Sequence, residues 1–144
     1  TMATVRDLLR NKGFEVYSVE PDATVYDALK LMADKNVGAV LVLDSGNLVG
    51  ILSERDYARK VVLQGRTPVD TPAREIMTDR VICVRPQETV EECMALMTEK
   101  KVRHLPVLEE NELIGVISIG DVVRAMIDEK EFMIQQLETY IRGR

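Results

Sequence analysis

Gly50-Ile51-Leu52-Ser53-Glu54-Arg55-Asp56 returns 65 positions later as Gly115-Val116-Ile117-Ser118-Ile119-Gly120-Asp121. Each copy reads as a glycine closing a turn, apolar residues finishing a strand, and Ser-x-x-Asp opening a helix. A helix start carries unpaired N–H groups and partial positive charge, so a hydroxyl and a carboxylate fixed there can frame the ribose and phosphate of a nucleotide. The same residues also read as a cap, with Ser at the N-cap and an acid three positions on. Both readings stay open at this level.

The copy runs well beyond the motif. Without a gap, Val19, Pro21, Thr24, Val25, Leu31, Met32, Lys35 and Val37 meet identical residues at Val84, Pro86, Thr89, Val90, Leu96, Met97, Lys100 and Val102. The match continues through Val42, Leu43, Leu48, Gly50, Ser53, Asp56 and Arg59 against Val107, Leu108, Leu113, Gly115, Ser118, Asp121 and Arg124. A period this long implies two related modules packed together rather than a solenoid. Residues 1–70 make the first repeat with a lead-in helix and a linker, and residues 71–144 the second with an extended C-terminal helix. Modules this small expose too much surface to stand alone comfortably, so the two are expected to bury their apolar faces against each other.

Composition narrows the function. With 46% apolar and 30% charged residues the chain reads as a soluble globular protein. It has neither an apolar run of spanning length nor a signal-peptide pattern at Thr1 to Arg10, so no membrane partner and a cytoplasmic location are expected. A net charge of -5 argues against nucleic acid, which needs a basic face, but not against one nucleotide in a locally basic cleft. Cys83 and Cys93 with a single histidine make no metal site, and both thiols read as structural or incidental.

In chain order, Thr4 to Lys12 reads as a short helix ended by Gly13, and Ala73 to Met77 forms a similar lead-in to the second repeat. A strand over Glu15 to Val19 is followed by a helix capped at Thr24 and running to about Lys35, with Val25, Ala28, Leu29 and Met32 on its buried face. Ala39 to Leu43 and Leu48 to Leu52 make a hairpin, repeated as His104 to Leu108 and Leu113 to Ile117. Pro106 lacks an N–H and belongs at a sheet edge or near a strand start. Helices follow from Ser53 to near Gly65 and from Ser118 to about Ile141. The order strand, helix, strand, strand, helix gives each repeat a small mixed sheet with two helices against it, an α+β fold.

These features together resemble a tandem CBS-domain protein, the pair called a Bateman module, from Val5 to about Met126. The residues that carry the resemblance are the Val-x-Pro-x-x-Thr-Val opening of each repeat, the Val102-Arg103-His104-Leu105-Pro106-Val107 strand, and both Gly-x-x-Ser-x-x-Asp elements. The resemblance implies a regulatory disc, βαββα twice over with approximate twofold symmetry. Its ligands would be adenosine compounds held between repeats: AMP, ADP, ATP, NAD(H) or S-adenosylmethionine. It assigns ribose contact to Asp56 with Ser53 and to Asp121 with Ser118, where a charge-assisted hydrogen bond contributes about 1.5 to 3 kcal/mol. It further implies that Arg103 and His104 serve the Asp56 cleft, and Gly38 and Ala39 the Asp121 cleft. Adenine would fit beside those small residues, Val37 and the backbone of Ser18, Val19 and Pro21, with Arg103 and His104 supplying charge for phosphate. Leu41 stands where the family usually has a strand proline, and Ser replaces the commoner Thr in both motifs.

Two functions compete. One is an adenine-nucleotide sensor, a homodimer that signals to an effector protein; the other is a ligand-free dimerisation module whose Ser-x-x-Asp elements only cap helices. No nucleophile beside His104, no Walker loop and no metal cluster point to an enzyme, and no catalytic cofactor is expected.

Overall fold

The computed structural model of the chain describes residues 3–142. Five α-helices and five strands are arranged as α1 (Val5–Lys12), β1 (Ser18–Val19), α2 (Val25–Lys35), β2 (Ala39–Asp44), β3 (Asn47–Ser53), α3 (Glu54–Tyr57), α4 (Val90–Lys100), β4 (His104–Glu109), β5 (Glu112–Ser118) and α5 (Ile119–Arg142). The expected strand-helix-strand-strand-helix order of the α+β fold appears in the first half, and the second half keeps helix-strand-strand-helix with a single bridge where its first strand is expected.

The chain forms two compact units, and their boundaries cut across the repeat boundary. One unit is Val16–Ile82; the other joins Thr1–Glu15 to Cys83–Arg144. Each lead-in segment therefore packs on the repeat other than the one it precedes. Ahead of the first repeat, the Val5 N–H donates to the Glu88 carbonyl, Arg6 N–H to Pro86, and Val90 N–H back to Ala3. Ahead of the second, Ala73 N–H donates to Ala23, Arg74 N–H to Pro21, and Val25 N–H back to Thr71. The two sets are the same three bonds, made twice.

In the Val16–Ile82 unit the sheet order is β1-β2-β3, with β1 parallel to β2 and β2 antiparallel to β3. Val25, Ala28 and Met32 from α2 pack with Val40, Val42, Leu52, Val61, Ala73 and Ile76. The helical spacing of the first three and the alternation of the strand residues bring one face of each element into this core. Thr24 caps α2 by accepting from the Asp27 N–H, and Asn36 ends it in the left-handed region at φ 55°.

The other unit keeps the β4-β5 hairpin, but its equivalent of β1 shrinks to a single parallel bridge, Val84 to Val107. The cause is Pro106. Leu41, its counterpart, donates its N–H to the Tyr17 carbonyl and so holds β1 along β2. Proline has no N–H to donate, and the pairing there runs through the bonds from Val84 N–H to Pro106 O and from Leu108 N–H to Val84 O. The first strand is likewise shorter than the expected Glu15 to Val19.

The motif glycines do not close turns. Gly50 and Gly115 lie inside β3 and β5, paired with Val42 and Val107. Lead-in side chains approach them closely: a Cβ on Gly115 would sit 2.8 Å from Leu9 Cδ2, and one on Gly50 would collide with Met77 Sδ. A glycine inside a strand marks such an approach. The turns are made instead by Ser45 and Gly46, and by Glu110 and Asn111, all at positive φ, the geometry of a two-residue hairpin loop.

The helix after Ser53 also differs from expectation. It is α-helical only to Tyr57 and continues as a π-helical turn over Ala58–Val62, whereas α5 runs unbroken for 24 residues.

Candidate ligand site

Both Ser-x-x-Asp elements close on themselves as reciprocal caps. The Ser53 N–H donates to Asp56 Oδ2 at 2.9 Å and the Asp56 N–H donates to Ser53 Oγ at 3.2 Å. In the second repeat the Ser118 N–H donates to Asp121 Oδ2 at 2.8 Å and the Asp121 N–H to Ser118 Oγ at 3.2 Å. The capping reading is therefore realised in full, with Asp in the place more often held by Glu.

A carboxylate has about four acceptor positions, so capping does not exhaust it. What remains differs between the copies. The second oxygen of Asp56 faces Lys60 Nζ at 3.1 Å and Thr78 Oγ1 at 3.5 Å. In Asp121 the capping oxygen itself takes the lysine, Lys12 Nζ at 2.7 Å, and Oδ1 faces Arg124 Nη1 at 3.6 Å. The two aspartates are similarly sheltered, with 13% and 14% of their side chains exposed.

The same strand geometry places each remaining candidate. Ala39 lies opposite Ser53 and the Gly38 carbonyl accepts from Glu54 N–H at the start of α3. His104 lies opposite Ser118, and the Arg103 carbonyl accepts from Ile119 N–H. Each unit thus gathers its motif with its own hairpin pair: Gly38 and Ala39 with Ser53 and Asp56, Arg103 and His104 with Ser118 and Asp121. Ser18 and Val19 form β1 beside Leu41 and Val42, the Pro21 carbonyl holds Arg74 N–H, and Val37 N–H closes α2 on Met32.

Charge around Asp121 is organised by burial and by Lys12. Burial pushes its carboxyl up, but hydrogen bonds from Lys12 and the Ser118 N–H, with the lysine charge, outweigh it and hold the group below the usual carboxylate value. Burial lowers His104, Asp121 opposes the shift, and Lys12 and Arg103 add to it, so the imidazole is neutral at pH 7. Lys12, Asn11, Arg124, Asp128, Asp121 and Leu8 line a groove of about 180 Å³ in this unit. The groove sets two cations, Lys12 and Arg124, beside two carboxylates, Asp121 and Asp128, with both cations facing Asp121.

Sequence reasoning assigned no role to Lys12 or Lys60. Lys60 stands four positions after Asp56, a helical spacing that was there to be read. Lys12 reaches Asp121 because α1 belongs to the second-repeat unit, which no local pattern announces.

Known proteins agree with this architecture. The CBS-domain pattern matches residues 5–63 and 73–128, and the chain belongs to the CBS-domain family. It is 42% identical over 149 residues to the mitochondrial CBS domain-containing protein CBSX3 of Arabidopsis thaliana, covering 97% of this chain and 72% of that protein. A CBS-domain protein from Burkholderia ambifaria MC40-6 superposes with a TM-score of 0.85 at 51% identity, over 88% of this chain and 95% of that one. The CBS pair of MJ0100, solved with 5′-methylthioadenosine and S-adenosyl-L-methionine, shares the fold at a TM-score of 0.79 and 22% identity, over 90% of this chain and 99% of that one. The chain is thus a CBS pair, a regulatory ligand-binding module. No helix among the described residues is long and apolar enough to cross a membrane.

Proposed function

We propose that this CBS pair is a cytoplasmic sensor of an adenosine compound, such as AMP, ADP, ATP, NAD(H) or S-adenosylmethionine, acting as a homodimer on an effector protein. Asp121 carries the reading. Its cap and its lysine share Oδ2, which leaves Oδ1 to accept from ribose hydroxyls beside the groove that holds Lys12 and Arg124. Lys12 and Arg124 would turn from Asp121 to meet a phosphate, and Asp128 in the same groove would meet a sulfonium, so the lining accepts either class of adenosine compound. The MJ0100 pair with its two adenosine ligands supports the adenosine class through shared fold alone. Asp56, whose second oxygen meets Lys60 at 3.1 Å where that of Asp121 faces Arg124 at 3.6 Å, is the weaker ribose acceptor.

Titration calorimetry with AMP, ATP, NADH and S-adenosylmethionine tests this on the parent chain, Asp121→Asn and Asp56→Asn. Asparagine keeps an acceptor for the cap, so the fold is retained. Asp121→Asn should weaken binding at least about tenfold, the value of one charge-assisted bond, and Asp56→Asn less. Equal affinities in all three chains reject the site. The closed caps at both motifs favour a second reading, an assembly module without a ligand, which predicts no binding heat with any of these compounds while the oligomer persists.

A further inference from the structure

The end of α5 leaves the body of its unit. Val122 is buried and Ala125, Met126 and Glu129 are half-buried, whereas every residue from Lys130 to Arg142 is exposed. A lone helical segment of about a dozen residues is marginal in water, and this one displays Phe132, Met133, Ile134, Leu137, Tyr140 and Ile141. We propose that it is one strand of a parallel, in-register, two-stranded coiled coil formed with a second copy of the chain. The proposal rests on the self-association in the reading above and is independent of the ligand.

Spacing, face, residue type and charge all select that partner. Val123, Ile127, Lys130, Ile134, Leu137 and Ile141 recur at alternating intervals of four and three, which places Ile127, Ile134 and Ile141 at a and Val123, Lys130 and Leu137 at d. At 3.6 residues per turn this seam lies about 100° round the helix from Val122, Met126 and Glu129, which turn toward the unit. It is consequently open, with Ile127, Ile134 and Leu137 at 51%, 50% and 62% exposure. Isoleucine at every a position, with Leu137 at d, favours two strands over three or four. Lys130 is the one polar residue of the seam, and in a parallel pair a d side chain packs beside the following e residue of the other strand, here Glu131. Two reciprocal Lys130–Glu131 pairs would form across the twofold axis. An antiparallel pair would instead set the Glu131 and Glu138 rows of the two copies against each other.

Sedimentation equilibrium of the full chain at tens of micromolar reads the outcome. The parent should be a dimer, and Ile134→Asp with Leu137→Asp should make it monomeric with an unchanged far-UV spectrum for the folded units. Lys130→Glu should weaken dimerisation about tenfold, and the exchange Lys130→Glu with Glu131→Lys should restore it. Under mild oxidation Leu137→Cys should cross-link two chains, whereas Thr139→Cys, on the outer face, and the parent should not. A monomeric parent overturns both this proposal and the self-association it rests on. A dimer indifferent to Ile134→Asp with Leu137→Asp overturns the seam alone, a dimer that Leu137→Cys fails to cross-link overturns the register, and a trimer overturns the two-stranded state.

Discussion

Lys12 Nζ lies 2.7 Å from Asp121 Oδ2 although 109 positions separate the two residues. The same ammonium donates to the Val116 carbonyl at 2.8 Å, so α1 is fastened to both the last strand and the last helix of its unit. Lys12→Met keeps the aliphatic stem and removes both bonds. Because the lysine is about a third exposed, solvent screening limits the loss to about 1 kcal/mol, measurable by urea unfolding at pH 7. The Asp121 carboxyl is held below its usual value, so its contribution is present above about pH 4 and fades as pH falls through the lower folded value. Parent and Lys12→Met curves should therefore draw together in acid, and a constant gap down to pH 2 would show that the ion pair contributes nothing.

His104 supplies a second pH dependence, in a different window. Burial and the charges of Lys12 and Arg103 depress its folded pKa below 6.5, with Asp121 only partly opposing them. In that window the unfolded chain binds the extra proton and the folded one does not, so stability is present above pH 6.5 and is lost as pH falls through the folded value. The unfolding midpoint should drop between pH 7 and pH 5.5 in the parent and stay nearly level in His104→Gln. Parallel profiles for the two chains would reject this account.

The motif glycines predict an asymmetric pair of substitutions. In Gly115→Ala the new methyl meets the terminal methyls of Leu9, which is fully buried and branched, while in Gly50→Ala it meets Met77 from Sδ back to Cβ, an unbranched side chain that is only partly buried and can change rotamer. Overpacking costs about 1 to 3 kcal/mol, and the flexible neighbour relieves more of it, so Gly115→Ala should be the more damaging. Leu9→Ala should recover part of the loss in Gly115→Ala, giving a coupling of opposite sign to the single effects in a double-mutant cycle. Strict additivity would mean that the two side chains never compete for space.

These contrasts define how much of the fold is legible in the sequence. The hairpins, both Thr-capped helices and the Ser-x-x-Asp helix starts follow from patterns a few residues long, and their counterparts 65 positions on doubled each observation. The packing of α1 and of the Pro72 segment was hidden, because backbone bonds such as Val5 N–H to Glu88 O join residues far apart in the chain. The role of Gly50 and Gly115 was misread for the same reason: the side chains that need the space come from those distant segments. Asp56 and Asp121 are equivalent in sequence, and the positions of Lys60 and Thr78 at one and of Lys12 and Arg124 at the other distinguish their carboxylates.

Cys93 offers a probe of the second unit's integrity. It replaces Ala28 on the buried face of α4, is fully buried, and its thiol is pushed up to about 12 by burial, with Glu88 and Glu92 adding to the effect. The thiolate is the reacting species, so at pH 8 both the proton equilibrium and the lack of access suppress alkylation. Burial also raises Cys83, but that side chain is only half-buried, so it should react first. Ellman titration of the native chain should thus show one thiol at moderate rate and a second whose rate follows opening of the unit, rising in urea in step with unfolding. Prompt reaction of both thiols at pH 8 without denaturant would place Cys93 outside a closed core.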